Sequence, residues 1–267
     1  MSSPPELFDR RLRALRRDRA FNSGPVLFLH ERAFSDILER VADVNRTFSS
    51  ALLLGTPDPQ WPRRLGELAG QVTAMDPGQR FAHAAGGATV LEEEIDLEPS
   101  SFDLIVAAGT LDTVNGLADT LLRLRFLLKP DSLLIGVIPG GDTLLRLRQA
   151  MRAADSVSGA ASPHIHPRIE PAGLAQLLGS AGLAMPVVDV DRVSVAYSRL
   201  GDLVGDLRGM GATNVLSKRS RVPLSRAALA AAERAFDSGG QTRVTEQFEL
   251  LHFAAWTPAQ ATPEAHG

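Results

Sequence analysis

The chain has 267 residues, 44% of them hydrophobic and 22% charged, with a net charge of −3. That near-neutral balance excludes the broadly basic surface of general nucleic-acid binding, and the length admits one large domain or two small ones. The absence of cysteine excludes disulfides, thiolate metal sites and cysteine nucleophiles and fits a reducing compartment, and no apolar run approaches the roughly 20 residues of a membrane span.

The first element is FDRRLRALRRDRAF at residues 8–21, which carries six arginines. Phe8, Leu12 and Leu15 fall on one helical face, which predicts a surface helix docked by that face. An Arg-rich amphipathic start also matches a mitochondrial targeting segment, but Glu6, Asp9 and Asp18 count against it because such segments are poor in acids. Phe34, Ile37, Leu38 and Val41 then mark a second amphipathic helix. It leads into a buried strand at 50–54 that Gly55 turns.

Trp61, Leu65 and Leu68 predict a helix packed on the sheet, and QVTAMD at 71–76 a strand ending on an acid. A short strand, an acidic loop at 92–94 and a stronger strand at 102–108 follow. Leu117, Leu121, Leu124 and Leu128 repeat with helical spacing until KPD interrupts them, and SLLIGVI at 132–138 reads as a fully apolar strand of a parallel sheet. Strand and helix thus alternate from about residue 50 to 138, the pattern of a doubly wound α/β sheet that binds ligands at the carboxyl ends of its strands. Gly55, Asp76, the acids at 92–94 and Gly109 to Asp112 should gather along that edge.

In the second half, Asp142 is placed to N-cap a helix beginning at TLLRLRQAM. SGAASPHIHP at 158–167 is a loop, and Pro171 and Gly182 bracket a further helix. A strand at 187–197, helices at 200–208 and 225–236 and a last strand at 244–256 complete the chain. The expected organisation is N-terminal helices over 1–48 and one domain over 49–258, with a helical cap from about 140–170 and 198–240 and a disordered tail at 259–267.

The order of a strand with a glycine turn, an acid ending the second strand, FDLIVAAGTL, LLKPDSLLIGVI and LLGSAGL resembles class I S-adenosylmethionine-dependent methyltransferases. More narrowly, FDRRLRALRRDRA, GGDTLLRLR, SPHIHP, VDVDRVSVAY and DLRGMGATN resemble the complex I assembly factor 5 family, itself similar to the malonyl-carrier-protein methyltransferases of biotin synthesis. The likeness runs from about residue 7 to 257. It implies a Rossmann-like, seven-stranded methyltransferase sheet with the last strand antiparallel, and S-adenosylmethionine as cofactor.

The resemblance also implies site residues. The first strand should end in an acid followed by Gly-x-Gly-x-Gly, but these positions hold Leu53, Gly55, Pro57 and Pro59. Each proline fixes φ and removes a donor, which weakens the usual cofactor pose. Gly55, Asp76, Glu93, Gly109 and Asp112 are the expected cofactor-side residues, Asp76 accepting from both ribose hydroxyls and Glu93 lying beside the adenine. Asp112-Thr113 replaces the aromatic or His-Trp pair that family members often carry there. His164, as a general base, and Tyr197, lining the substrate pocket, are the catalytic candidates, and no metal set is expected because no third ligand accompanies His164 and His166.

Two functions follow. One is a methyltransferase-like enzyme acting on a protein, such as a respiratory-complex subunit, or on a carrier-bound substrate. The other is an assembly factor, either deficient in cofactor binding and non-catalytic or of the arginine-hydroxylase type. No nucleic acid and no transmembrane segment are expected, and the compartment is the cytoplasm of a bacterium or the mitochondrial matrix of a eukaryote.

Overall fold

The computed structural model describes residues 6–237 and 242–259. The reading of 259–267 as a tail falls outside them from residue 260 onward. Helices α1 (Arg10–Ser23) and α2 (Phe28–Asp43) precede an alternating run of β1 (Phe48–Leu54), α3 (Trp61–Gly66), β2 (Ala69–Asp76), α4 (Gln79–Ala84), β3 (Ala88–Thr89), β4 (Phe102–Ala108), α5 (Leu117–Leu127) and β5 (Leu128–Pro139). There follow α6 (Leu145–Ser158), α7 (Pro171–Ser180), β6 (Ala184–Tyr197), α8 (Leu200–Gly209), α9 (Arg226–Phe236) and β7 (Val244–Trp256).

The seven strands form one sheet in the order β3-β2-β1-β4-β5-β7-β6. The first five are parallel, and β7 inserts antiparallel between β5 and β6. Alternation along β1 supplies both faces. Leu52 and Leu54 point into the cluster under α5 and α7, while Ala51 and Leu53 point into the cluster under α2 and α3. Leu53, at the position of the expected acid, is therefore a fully buried core side chain. A third cluster joins α6, α8 and α9 to the ends of β6 and β7, and it forms the cap over the carboxyl edge.

Two local expectations are corrected. Helix α1 docks only in part through Phe8, Leu12 and Leu15: Phe8 is buried against Val215 and Leu216 and the half-buried Leu12 packs beside it, but Leu15 is exposed, and the buried face of the helix carries Arg13, Arg17 and Ala20. Asp142 does not cap α6; its carboxylate lies 3.5 Å from Arg192. The helix starts one residue after Leu144, which adopts φ +64°, and its first amides at Arg146 and Leu147 donate to Glu246 of β7 at 3.1 and 2.8 Å. A buried carboxylate from a distant strand supplies the cap that the local sequence lacks.

Candidate functional site

The crevice lies at the carboxyl ends of β1, β2 and β4. Gly55 sits at φ +87°, and a Cβ there would lie 2.5 Å from the Ala108 carbonyl oxygen, so only glycine turns the chain this close to β4. The next amide, Thr56, donates to Asp76 Oδ2 at 2.7 Å and closes the turn onto the end of β2. Pro57 and Pro59 have no N–H to offer, and Asp58 accepts from the Gln60 amide at 2.8 Å within its own turn.

Asp76 is wholly buried. Its Oδ1 accepts from Arg17 Nε and from the Gly78 amide, both at 2.7 Å. Its Oδ2 accepts from Arg17 Nη2 at 2.5 Å as well as from Thr56. Burial alone would lower the pKa of Arg17, but the charge and hydrogen bonds of Asp76 outweigh it and hold it above its ordinary value. One helical turn earlier, Arg13 makes paired bonds of 2.7 and 2.8 Å to Glu92 and a third, at 2.6 Å, to the Thr110 carbonyl. Arg10 forms ion pairs with Glu93 at 3.2 Å and Glu94 at 2.8 Å, and Glu93 also accepts from the Asn115 amide.

Past these pairs, between the ends of β4 and β5 and the helices α2 and α8, lies a cavity. Its walls are largely apolar, with Leu29, Trp61, Val137, Leu207 and Met210 among them. Gly109, at φ +77°, and Asp112 line it, and Asp112 pairs with Arg168 at 2.6 Å. The buried Thr110 hydroxyl has no hydrogen-bond partner among the described residues. His30 and His166 face the same space, and burial pushes each down to about 4, which leaves both neutral at pH 7. His166 Nε2 accepts from the Val215 amide at 3.0 Å, which places its proton on Nδ1.

His164 lines a second cavity on the cap side and meets Asp155 at 2.8 Å. Tyr197 lies in the cap core, and its hydroxyl donates to Asp206 at 3.0 Å; burial and that carboxylate push it above its ordinary value. The structure thus gathers Gly55, Asp76, Glu93, Gly109 and Asp112 at the crevice and its cavity, while His164 and Tyr197 stand apart with partners of their own. Glu92 lies among the acids expected at this edge, whereas Arg10, Arg13 and Arg17 were not among the expected site residues. The three arginines repeat at i, i+3 and i+7, the spacing of one helix face, which groups them but names no partner.

Topology and crevice define the class, the S-adenosylmethionine-dependent methyltransferase fold. YcgJ from Bacillus subtilis aligns with a TM-score of 0.57 at 10% identity, over 86% of this chain and all of that one. A Burkholderia thailandensis toxoflavin-precursor N1-methyltransferase, solved with S-adenosylhomocysteine, aligns at 0.50 and 16% identity over 96% and 93%. No family model matches the chain. The zebrafish arginine-hydroxylase NDUFAF5 is 30% identical over 98% of this chain and 86% of its own length. The malonyl-[acyl-carrier protein] O-methyltransferase of Laribacter hongkongensis is 30% identical over 67% and 59%. The chain belongs to the NDUFAF5 family.

The residues at the end of β2 decide whether the cofactor of this fold class has a place here. An ionised carboxylate offers about four lone-pair sites, and four close donors from Arg17, Thr56 and Gly78 already meet those of Asp76. The ribose hydroxyls expected on this acid find no free acceptor. In this arrangement the residues do not fit S-adenosylmethionine in the pose of its class.

Proposed function

We propose that this chain is a protein-directed assembly factor for respiratory complex I rather than a methyltransferase of carrier-bound acyl groups. The observation that carries the reading is the extent of likeness: the NDUFAF5 relative aligns over 98% of the chain, cap included, against 67% for the carrier-protein methyltransferase. The filled acceptor sites of Asp76 and the donor-poor Pro57–Pro59 turn support the non-catalytic form of the role, in which the chain holds its partner. The apolar cavity under the cap, with Gly109 and Asp112 on its wall, is the place for a side chain of that partner. His164 and Tyr197, engaged with Asp155 and Asp206, then shape the cap rather than perform chemistry. The compartment that goes with the role is the bacterial cytoplasm or the mitochondrial matrix, and among the described residues no helix is long and apolar enough to cross a membrane.

The reading is tested by removing the gene in its own organism and measuring assembled complex I on native gels together with NADH:quinone reductase activity. Loss of both, restored by the wild-type chain, is expected. A normal complement of active complex would sink the proposal. A second reading, S-adenosylmethionine-dependent transfer to a protein, is favoured by the retained Gly55 turn and by an acid at the end of β2.

A further inference from the structure

We infer that helix α1 is itself the occupant of the adenosine half of the crevice, so that this chain does not bind S-adenosylmethionine there in the pose of its fold class. The inference rests on the geometry of residues 6–17 and stands whether or not the assembly role does.

Three observations carry it. The first is saturation: Asp76 is fully buried with its acceptor sites taken, and Glu92, 2% exposed, is held by both Nη atoms of Arg13. A nucleoside entering here would have to displace a guanidinium from each acid and leave a buried charge uncompensated. The second is close packing of the helix backbone itself. A Cβ on Gly78, just past the end of β2, would lie 2.7 Å from Arg17 Cβ, and one on Gly211 would lie 3.4 Å from Arg17 Cα. The helix is therefore wedged against the turn after β2, where a side chain at Gly78 would push it out, and it rests in ordinary van der Waals contact with the turn after α8. The Arg17 guanidinium also lies 5.2 Å from the centre of the Phe81 ring.

The third observation is anchoring at the start of the helix. The Asp9 amide donates to the Val215 carbonyl at 2.8 Å, and the Ser217 amide donates to the Leu7 carbonyl at 2.9 Å. Asn115 takes the Phe8 amide at 2.8 Å and donates to the Phe8 carbonyl at 3.2 Å. Phe8 is buried beside Leu216 and packs edge-on against His166 at 5.2 Å. The segment is thus held from the cap loop at one end to Asp76 at the other. Its arginines stand where the class places the ribose and adenine.

The test is calorimetric titration of the full chain with S-adenosylhomocysteine and S-adenosylmethionine up to about 1 mM, a range that would reveal even weak binding. No saturable heat is expected. Micromolar binding that Asp76→Asn abolishes would overturn the inference, whereas binding that Asp76→Asn leaves unchanged would put the nucleotide elsewhere and uphold it. Melting temperatures supply a second arm that does not depend on the ligand. Arg17→Met, which leaves Asp76 buried and unpaired, should lower the melting temperature by about 10 °C, and Arg17→Met/Asp76→Leu should recover more than half of that loss. An Arg17→Met chain that melts with the wild type would show that the pair holds nothing in place, and the inference would fall.

Discussion

Asp76 and Gly55 show how much of the crevice is decided by single residues. At Gly55 the positive φ and the carbonyl of Ala108, 2.5 Å from any Cβ, act together. Gly55→Ala should therefore destabilise the protein by about 2–4 kcal/mol, read from denaturant unfolding. His166 carries a pH dependence whose sign follows from its burial. Its pKa in the folded protein is about 4, below the ordinary value of 6.5, so protons bind the unfolded chain more tightly. The stability is fully present above that ordinary value and is lost as pH falls toward 4, by about 2–3 kcal/mol for this ring. His166→Gln, which keeps an acceptor for the Val215 amide, should flatten the fall in unfolding midpoint between pH 7 and pH 4.5; an unchanged slope would assign the loss to other groups. At this scale the sequence pointed to the right strand ends. It did not show that the arginines of the first helix face them, because pairing across 59 residues leaves no local pattern.

Among the elements, α6 separates what local rules can and cannot say. Asp142 is a good capping residue by type, yet its carboxylate is surface-exposed beside Arg192. The amides of the first turn belong instead to Glu246, a fully buried carboxylate on β7, and Leu144 takes a left-handed conformation to bring them there. Glu246→Ala should cost about 2 kcal/mol in chemical denaturation, whereas Asp142→Ala should stay within about 0.5 kcal/mol. Equal effects would return the cap to Asp142. The strands were far more legible than this helix start. Period-two alternation along β1, with 52 and 54 on one face and 51 and 53 on the other, needs only the sequence and the pleat.

For the whole molecule, the segment from Leu7 to Arg17 links the cap loop at 215–217 to the crevice floor, so the two should loosen together. Phe8→Ala removes the ring packed on Leu216 and His166. It should speed amide exchange at Val215 to Ser217 by about tenfold or more while leaving β1 and β4 protected, as expected when a local opening unit is loosened beside a stable core. Uniform acceleration would instead mean global destabilisation, and no change would break the proposed link.

The doubly wound sheet, its order of elements, the glycine turn after β1 and the acids at the carboxyl edge are all legible in the residues alone. Those features are written in periodicity, turn chemistry and the rule that parallel strands present their carboxyl ends together. What the acids do follows from the assembled fold. A row of arginines on a helix reads as a solvated face until the fold brings buried carboxylates within 2.5 to 2.8 Å of it. Charges become structural when water is excluded from both partners, and that exclusion is a property of the assembled crevice, not of either segment.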